Sequence, residues 1–143
     1  MSTATPPAPS SVSAPTTADS ALQSGFASLA RRDYATAEIA ARQALADPRT
    51  ASSSTNASYL LAQALAGKGD WARAAVAYDD TYNRSRTGAH AHDSLLGVAV
   101  ALTKLNERPA SCEALERLRA DFPSPREDLR DIIASTRQQA GCP

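Results

Sequence analysis

Three short turns recur along this chain at a fixed interval. They read Arg32-Asp33-Tyr34-Ala35-Thr36-Ala37, Gly69-Asp70-Trp71-Ala72-Arg73-Ala74 and Asn106-Glu107-Arg108-Pro109-Ala110-Ser111. The small residues Ala37, Ala74 and Ser111 close them at one place, 37 residues apart. The same interval separates Gly25, Ala62 and Ala99 upstream. Equal spacing at this length marks a repeat array, in which each unit is one supersecondary element that buries its apolar face on its neighbours. Within a unit the two small positions stand 12 residues apart across the turn. Antiparallel helices touch closely only where side chains are small, so the spacing predicts three helical hairpins, each with one tight crossing.

Composition agrees. Of 143 residues 43% are apolar, but only 5% are aromatic, and alanine supplies much of the remainder. Alanine is the best helix former, whereas a sheet asks for β-branched and aromatic residues. The length fits one domain. The expected fold is therefore all-α. Asp33 and Asp70 are placed to cap the second helices of units one and two. Pro123 stops the last helix of unit three, and Ser124-Pro125-Arg126-Glu127 reads as a capping box with proline at the first helical position. That opens a seventh helix over 125–140, with Leu129, Ile132 and Ile133 on one face and Gly141 as its stop. Such a helix covers the apolar face of the last unit. The units span about 19–49, 54–86 and 90–123. Residues 1–18 hold Pro6, Pro7, Pro9 and Pro15 and only Val12 as a strongly apolar side chain. They cannot offset their ordering entropy and read as a disordered Pro/Ser/Thr/Ala-rich linker.

Formal net charge is zero, from 15 basic and 15 acidic residues, which argues against a nucleic-acid partner. No apolar run approaches the length of a membrane span, so no membrane insertion is expected. Met1-Ser2-Thr3-Ala4-Thr5-Pro6 shows neither the basic nor the apolar region of a secretory signal. Nothing points to catalysis, a cofactor or a metal. His90 and His92 are two residues apart, so on a helix they point away from each other, and no further ligand set accompanies them. Gly67-Lys68-Gly69 lacks the spacing of a phosphate loop and joins two helices. No Gly-x-Ser-x-Gly elbow occurs. Asp79 and Asp80 are neighbours on a helix and read as a solvated face.

The small positions, the turn pairs Asp33-Tyr34 and Asp70-Trp71, and Phe122-Pro123 after unit three resemble tetratricopeptide repeats. The resemblance implies a right-handed superhelical array of three helix pairs plus a C-terminal capping helix. The first helix of each pair then lines a concave groove that receives a peptide segment of a partner. Helical spacing puts Asn56, Tyr59 and Gln63 on that face. Their counterparts are Asp19, Leu22 and Phe26 in unit one and Asp93, Leu96 and Val100 in unit three, with Lys104 further along. Leu22, Phe26, Leu96 and Val100 read first as ordinary core, and Trp71 and Tyr78 as packing between helices. The candidate partner-binding set is Asn56, Tyr59, Gln63, Phe26, Asp93 and Lys104.

Asp93-Ser94-Leu95-Leu96-Gly97-Val98-Ala99 followed by Ser111-Cys112-Glu113-Ala114-Leu115 is similar to the third repeat of the CpoB/YbgF family. Arg32-Asp33-Tyr34 and Tyr59-Leu60-Leu61-Ala62-Gln63-Ala64-Leu65 also fit. The resemblance implies a periplasmic protein that links the Tol–Pal system to peptidoglycan synthesis during cell division, with TolA-like and peptidoglycan-synthase-like partners. Trimers are expected only where a coiled coil precedes the repeats. A generic tetratricopeptide adaptor with an unrelated partner, or a glycan-binding accessory of cell-wall enzymes, stands as the alternative. By spacing alone, Cys112 and Cys142 admit either a bond or a small buried side chain and a tail thiol. The resemblance implies the disulfide, and with it an oxidising compartment such as the periplasm.

Overall fold

The computed structural model describes residues 17–143. Seven α-helices follow one another: α1 (Thr17–Ala30), α2 (Tyr34–Ala46), α3 (Ser54–Gly67), α4 (Trp71–Arg84), α5 (Ala91–Lys104), α6 (Arg108–Asp121) and α7 (Glu127–Ala140). A 3₁₀ segment, Pro48–Ser53, joins α2 to α3. No strand occurs among the described residues. α1 takes in Thr17 and Ala18, which composition had assigned to the linker. The rest of that expected linker lies outside the described residues.

The three hairpin turns are built alike. Arg32, Gly69 and Asn106 each take a left-handed conformation, with φ of 62°, 77° and 61°. Each follows a helix whose last carbonyls are met by the same two bonds: Arg32 N to Leu29 O and Asp33 N to Ser28 O, Gly69 N to Ala66 O and Asp70 N to Leu65 O, Asn106 N to Thr103 O and Glu107 N to Leu102 O. These bonds satisfy carbonyls that a helix end otherwise leaves open. Gly69 takes the left-handed position without strain, whereas an arginine there costs about 1 kcal/mol or more. Asp33 and Asp70 then cap α2 and α4, accepting from Thr36 N and Arg73 N at 3.3 Å. Glu107 holds the equivalent place before α6 without a side-chain cap.

The small residues sit where the hairpins cross. Ala37, Ala62, Ala74, Ala99 and Ser111 are fully buried. A Cβ added to Gly25 would meet Ala40 Cβ and a Leu60 methyl at 2.7 Å. In the third hairpin Ser111 Oγ donates to Ala99 O at 2.8 Å, across the expected separation. Helices α1 to α6 pack chiefly on the one before and the one after, and α7 lies across both α5 and α6. Leu22, Ala40 and Leu60 belong to a first apolar cluster, Ala62, Ala74 and Tyr78 to a middle one, and Leu95, Ala99, Leu115 and Leu118 to a last one.

Two expectations about α7 are corrected. The capping box at Ser124 does not form. The helix begins at Glu127, and its N-cap is Arg126, an extended residue with no side-chain cap bond. Tertiary bonding explains the shift: the Arg126 guanidinium reaches Asp93 at 2.8 and 3.2 Å and Asp128 at 3.2 Å. Pro125 lies with Phe122, Leu115 and Leu118 at the edge of the last cluster rather than inside a helical turn. Second, the inward stripe runs through Leu129, Ile133, Thr136 and Ala140, and Ile132 is 46% exposed. At 100° per residue Ile132 falls on the edge of that stripe. Gly141, with φ 69°, ends the helix as expected.

Cys112 and Cys142 stand at disulfide distance, Cα to Cα 5.5 Å, tying the end of α7 to α6. Arg137 adds an ion pair to Glu116 at 2.9 Å. The 3₁₀ segment was not anticipated. Its buried Thr50 hydroxyl bonds the carbonyls of Ala44 and Asp47 at 2.6 and 2.7 Å, turning the chain back toward α3.

Replacing both cysteines with serine removes a link across 30 residues. The expected loss is about 3–4 kcal/mol in a urea titration of oxidised protein. A loss under about 1 kcal/mol would mean that the link does not hold α7.

Candidate partner-binding site

Asn56, Tyr59 and Gln63 lie on one face of α3, and the structure brings them together with two residues outside that candidate set. Gln63 Nε2 donates to Tyr59 Oη at 3.0 Å, and Tyr78 Oη donates to Gln63 Oε1 at 2.5 Å. The Tyr59 ring stacks on His90, centroids 4.1 Å apart and planes 15° from parallel. His90 Nε2 lies 2.8 Å from Asn56 Oδ1. With the amide as placed, that nitrogen is the donor. Tyr59 and Gln63 are half-buried and Asn56 is exposed.

Burial, reinforced by the charge of Asp93, pushes the Tyr59 hydroxyl up to about 12. Burial raises Tyr78 further, helped by Tyr59 and Asp93. Both phenols therefore keep their protons at any physiological pH. The cluster offers hydrogen-bond donors, an amide and aromatic faces, not a nucleophile.

Asn56 and Asp93 also have a structural task. In unit one Ser53 Oγ donates to Asp19 Oδ1 at 3.2 Å. One period on, His90 meets Asn56; at the last joint Arg126 meets Asp93. Ser53, His90 and Arg126 are the N-cap residues of α3, α5 and α7. The same position on each first helix thus grips the start of the next first helix, and each unit is latched to its successor. Asp93 is engaged by Arg126, and Asn56 by His90.

The remaining candidates make their contacts elsewhere. Phe26 packs half-buried on the first apolar cluster, where Leu22 is core. Leu96 is core and Val100 half-buried in the last cluster. Lys104 is exposed, its Nζ 5.8 Å from the centroid of the half-buried Trp71 ring. Tyr78 packs between helices as expected: a Cβ on Gly97 of α5 would meet its ring at 2.7 Å.

His92, two residues beyond His90, turns the other way and stacks on Phe122 with centroids 4.7 Å apart. It is buried, and its Nε2 has no hydrogen-bond partner among the described residues. Burial lowers the pKa of His90, opposed by Asp93. Burial and then Arg126 lower that of His92, opposed by Asp93 and Asp128.

Neither a protein-family model nor a curated protein matches the chain.

The two imidazoles set a pH dependence. Both are held neutral in the fold, so their contribution is complete above the unfolded pKa of about 6.5. It is lost as pH falls below that value through the lowered folded pKa values. Urea midpoints should therefore decline between about pH 7 and pH 5, above the range in which carboxylates titrate. His92→Leu should flatten that decline. A midpoint that holds steady or rises toward pH 5 contradicts the assignment.

Proposed function

We propose that this chain is a non-enzymatic protein-interaction scaffold, a right-handed superhelical array of three tetratricopeptide-like helix pairs closed by α7. The 37-residue repetition carries the reading. The small crossing residues, the left-handed turn residues and the gripping positions Asp19, Asn56 and Asp93 all recur at that interval, as stacked helical repeats require. In such an array α1, α3 and α5 form the concave side. Tyr59, Gln63 and the His90 ring then line its middle, with the Asp93–Arg126 pair beside them and Phe26 and Lys104 further along. An extended or helical peptide with amide and apolar groups suits this lining. The Cys112–Cys142 pair supports a periplasmic setting. The resemblance to CpoB/YbgF supports TolA-like and peptidoglycan-synthase-like partners in coordinating cell-wall synthesis with outer-membrane constriction.

Capture of those two partners by immobilised protein tests the proposal. Tyr59→Ala with Gln63→Ala should weaken capture at least about tenfold, the usual loss when central contact residues are truncated. Circular dichroism should show unchanged helicity. Capture that the double variant leaves intact rejects the groove; failure of the wild-type chain to capture either protein rejects the division role.

A further inference from the structure

A cavity of about 760 Å3 opens between α2 and α4, with Leu61 and Leu65 of α3 among its lining and Val76 on its α4 wall. One period on, a cavity of about 450 Å3 opens between α4 and α6, where Val98, Leu102 and Glu113 hold the equivalent places. The cavities themselves thus follow from stacking the units. Their chemistry does not. Val76 is 70% exposed; its counterparts are Ile39, 58% exposed, one period before and the exposed Glu113 one period on. The fold accepts a charge at that position, so packing within the chain gives no reason for an aliphatic side chain on solvent.

Along α4 the groove is walled by Arg73, Val76, Ala77 and Asp80. The spacing i, i+3, i+4, i+7 puts them on one stripe. The stripe is basic at one end, apolar in the middle and acidic at the other. A twofold axis between Val76 and Ala77 lays two such helices antiparallel. Arg73 of each copy then faces Asp80 of the other, and the apolar centres meet. An isologous contact requires this kind of self-complementarity. The matching stripe on α6 (Ala110, Glu113, Ala114 and Arg117) would instead set two glutamates together at its centre. Zero formal net charge leaves no long-range repulsion between copies. Arg73 is cheap to redirect, since it reaches Asp70 only at 3.7 Å and is 69% exposed; Asp80 pairs with Arg84 at 2.7 Å, and its Oδ2 also accepts from Ser58 Oγ at 3.0 Å.

We propose that two copies of this chain associate about a twofold axis through the α4 wall of this groove, centred on Val76. The face carrying Tyr59 and Gln63 is not part of this contact.

Sedimentation equilibrium of the full chain from about 10 μM to 1 mM tests this. The expected result is a reversible monomer–dimer equilibrium. Val76→Glu, which installs the residue the chain itself uses one period on, should weaken it at least about tenfold without loss of helicity. Arg73→Asp and Asp80→Arg should each weaken it. The combined variant R73D/D80R should restore it to within about threefold of wild type, because the reversed charges face each other again. A wild-type chain that stays monomeric throughout overturns the proposal. So does a dimer that Val76→Glu leaves intact, or a double reversal no better than its single variants. A monomeric chain that binds an amphipathic helical peptide in the groove gives it another occupant and overturns the proposal equally.

Discussion

At the crossing of α5 and α6 the Ser111 hydroxyl reaches the Ala99 carbonyl, 2.8 Å away. Two helix backbones come that close only if neither carries a side chain beyond a methyl or hydroxymethyl group. Gly25 with Ala37 and Ala62 with Ala74 hold the same two places in the other hairpins, small and buried, in the half of each helix nearest the turn. The remainder of the architecture depends on that condition. Close crossing brings the second helix near enough to bury an alanine-rich face, so a chain poor in aromatics can still fill its interior. It also sets how each hairpin presents its open side to the next.

The joints between units carry the polar part of the design. Asp19, Asn56 and Asp93 occupy one register position, and each bonds the residue that begins the next first helix. The partner changes from serine to histidine to arginine, but the connection persists. At the middle joint the histidine also stacks on Tyr59, so one residue serves both cohesion and the surface we propose for a partner. At the last joint the arginine brings a guanidinium beside His92, whose pKa is lowered by burial and then by that charge, whereas burial alone lowers that of His90. The third hairpin departs from the other two in lacking an aspartate cap and an aromatic after it, and the hydroxyl of Ser111 replaces some of that local stabilisation with a bond across the crossing.

The crossings were legible because they depend on side-chain size at a fixed interval, and the caps Asp33 and Asp70 because their bonds are local. The left-handed place at Gly69 is visible from its type, but Arg32 shows it only through its register with Gly69 and Asn106. Local reasoning failed at Ser124, where the capping box lost to a salt bridge with a residue far earlier in the chain. It failed for Ile132, because a face drawn from three residues of a short helix leaves its edge undefined. In the candidate site, spacing placed Asn56, Tyr59 and Gln63 on one face of α3. It passed over His90, considered only as a metal ligand; the 37-residue step from the helix-starting Ser53 was the signal that would have found it.

Urea denaturation of one substitution made at three equivalent places tests the crossing most directly. Valine at position 37, 74 or 111 adds bulk where the account allows none, and each variant should lose about 1–3 kcal/mol. Ser111→Ala keeps the small side chain and gives up only the hydroxyl bonds, so its loss should stay near 1 kcal/mol. If valine is tolerated at any of the three positions, close approach at small residues is not what holds these hairpins together.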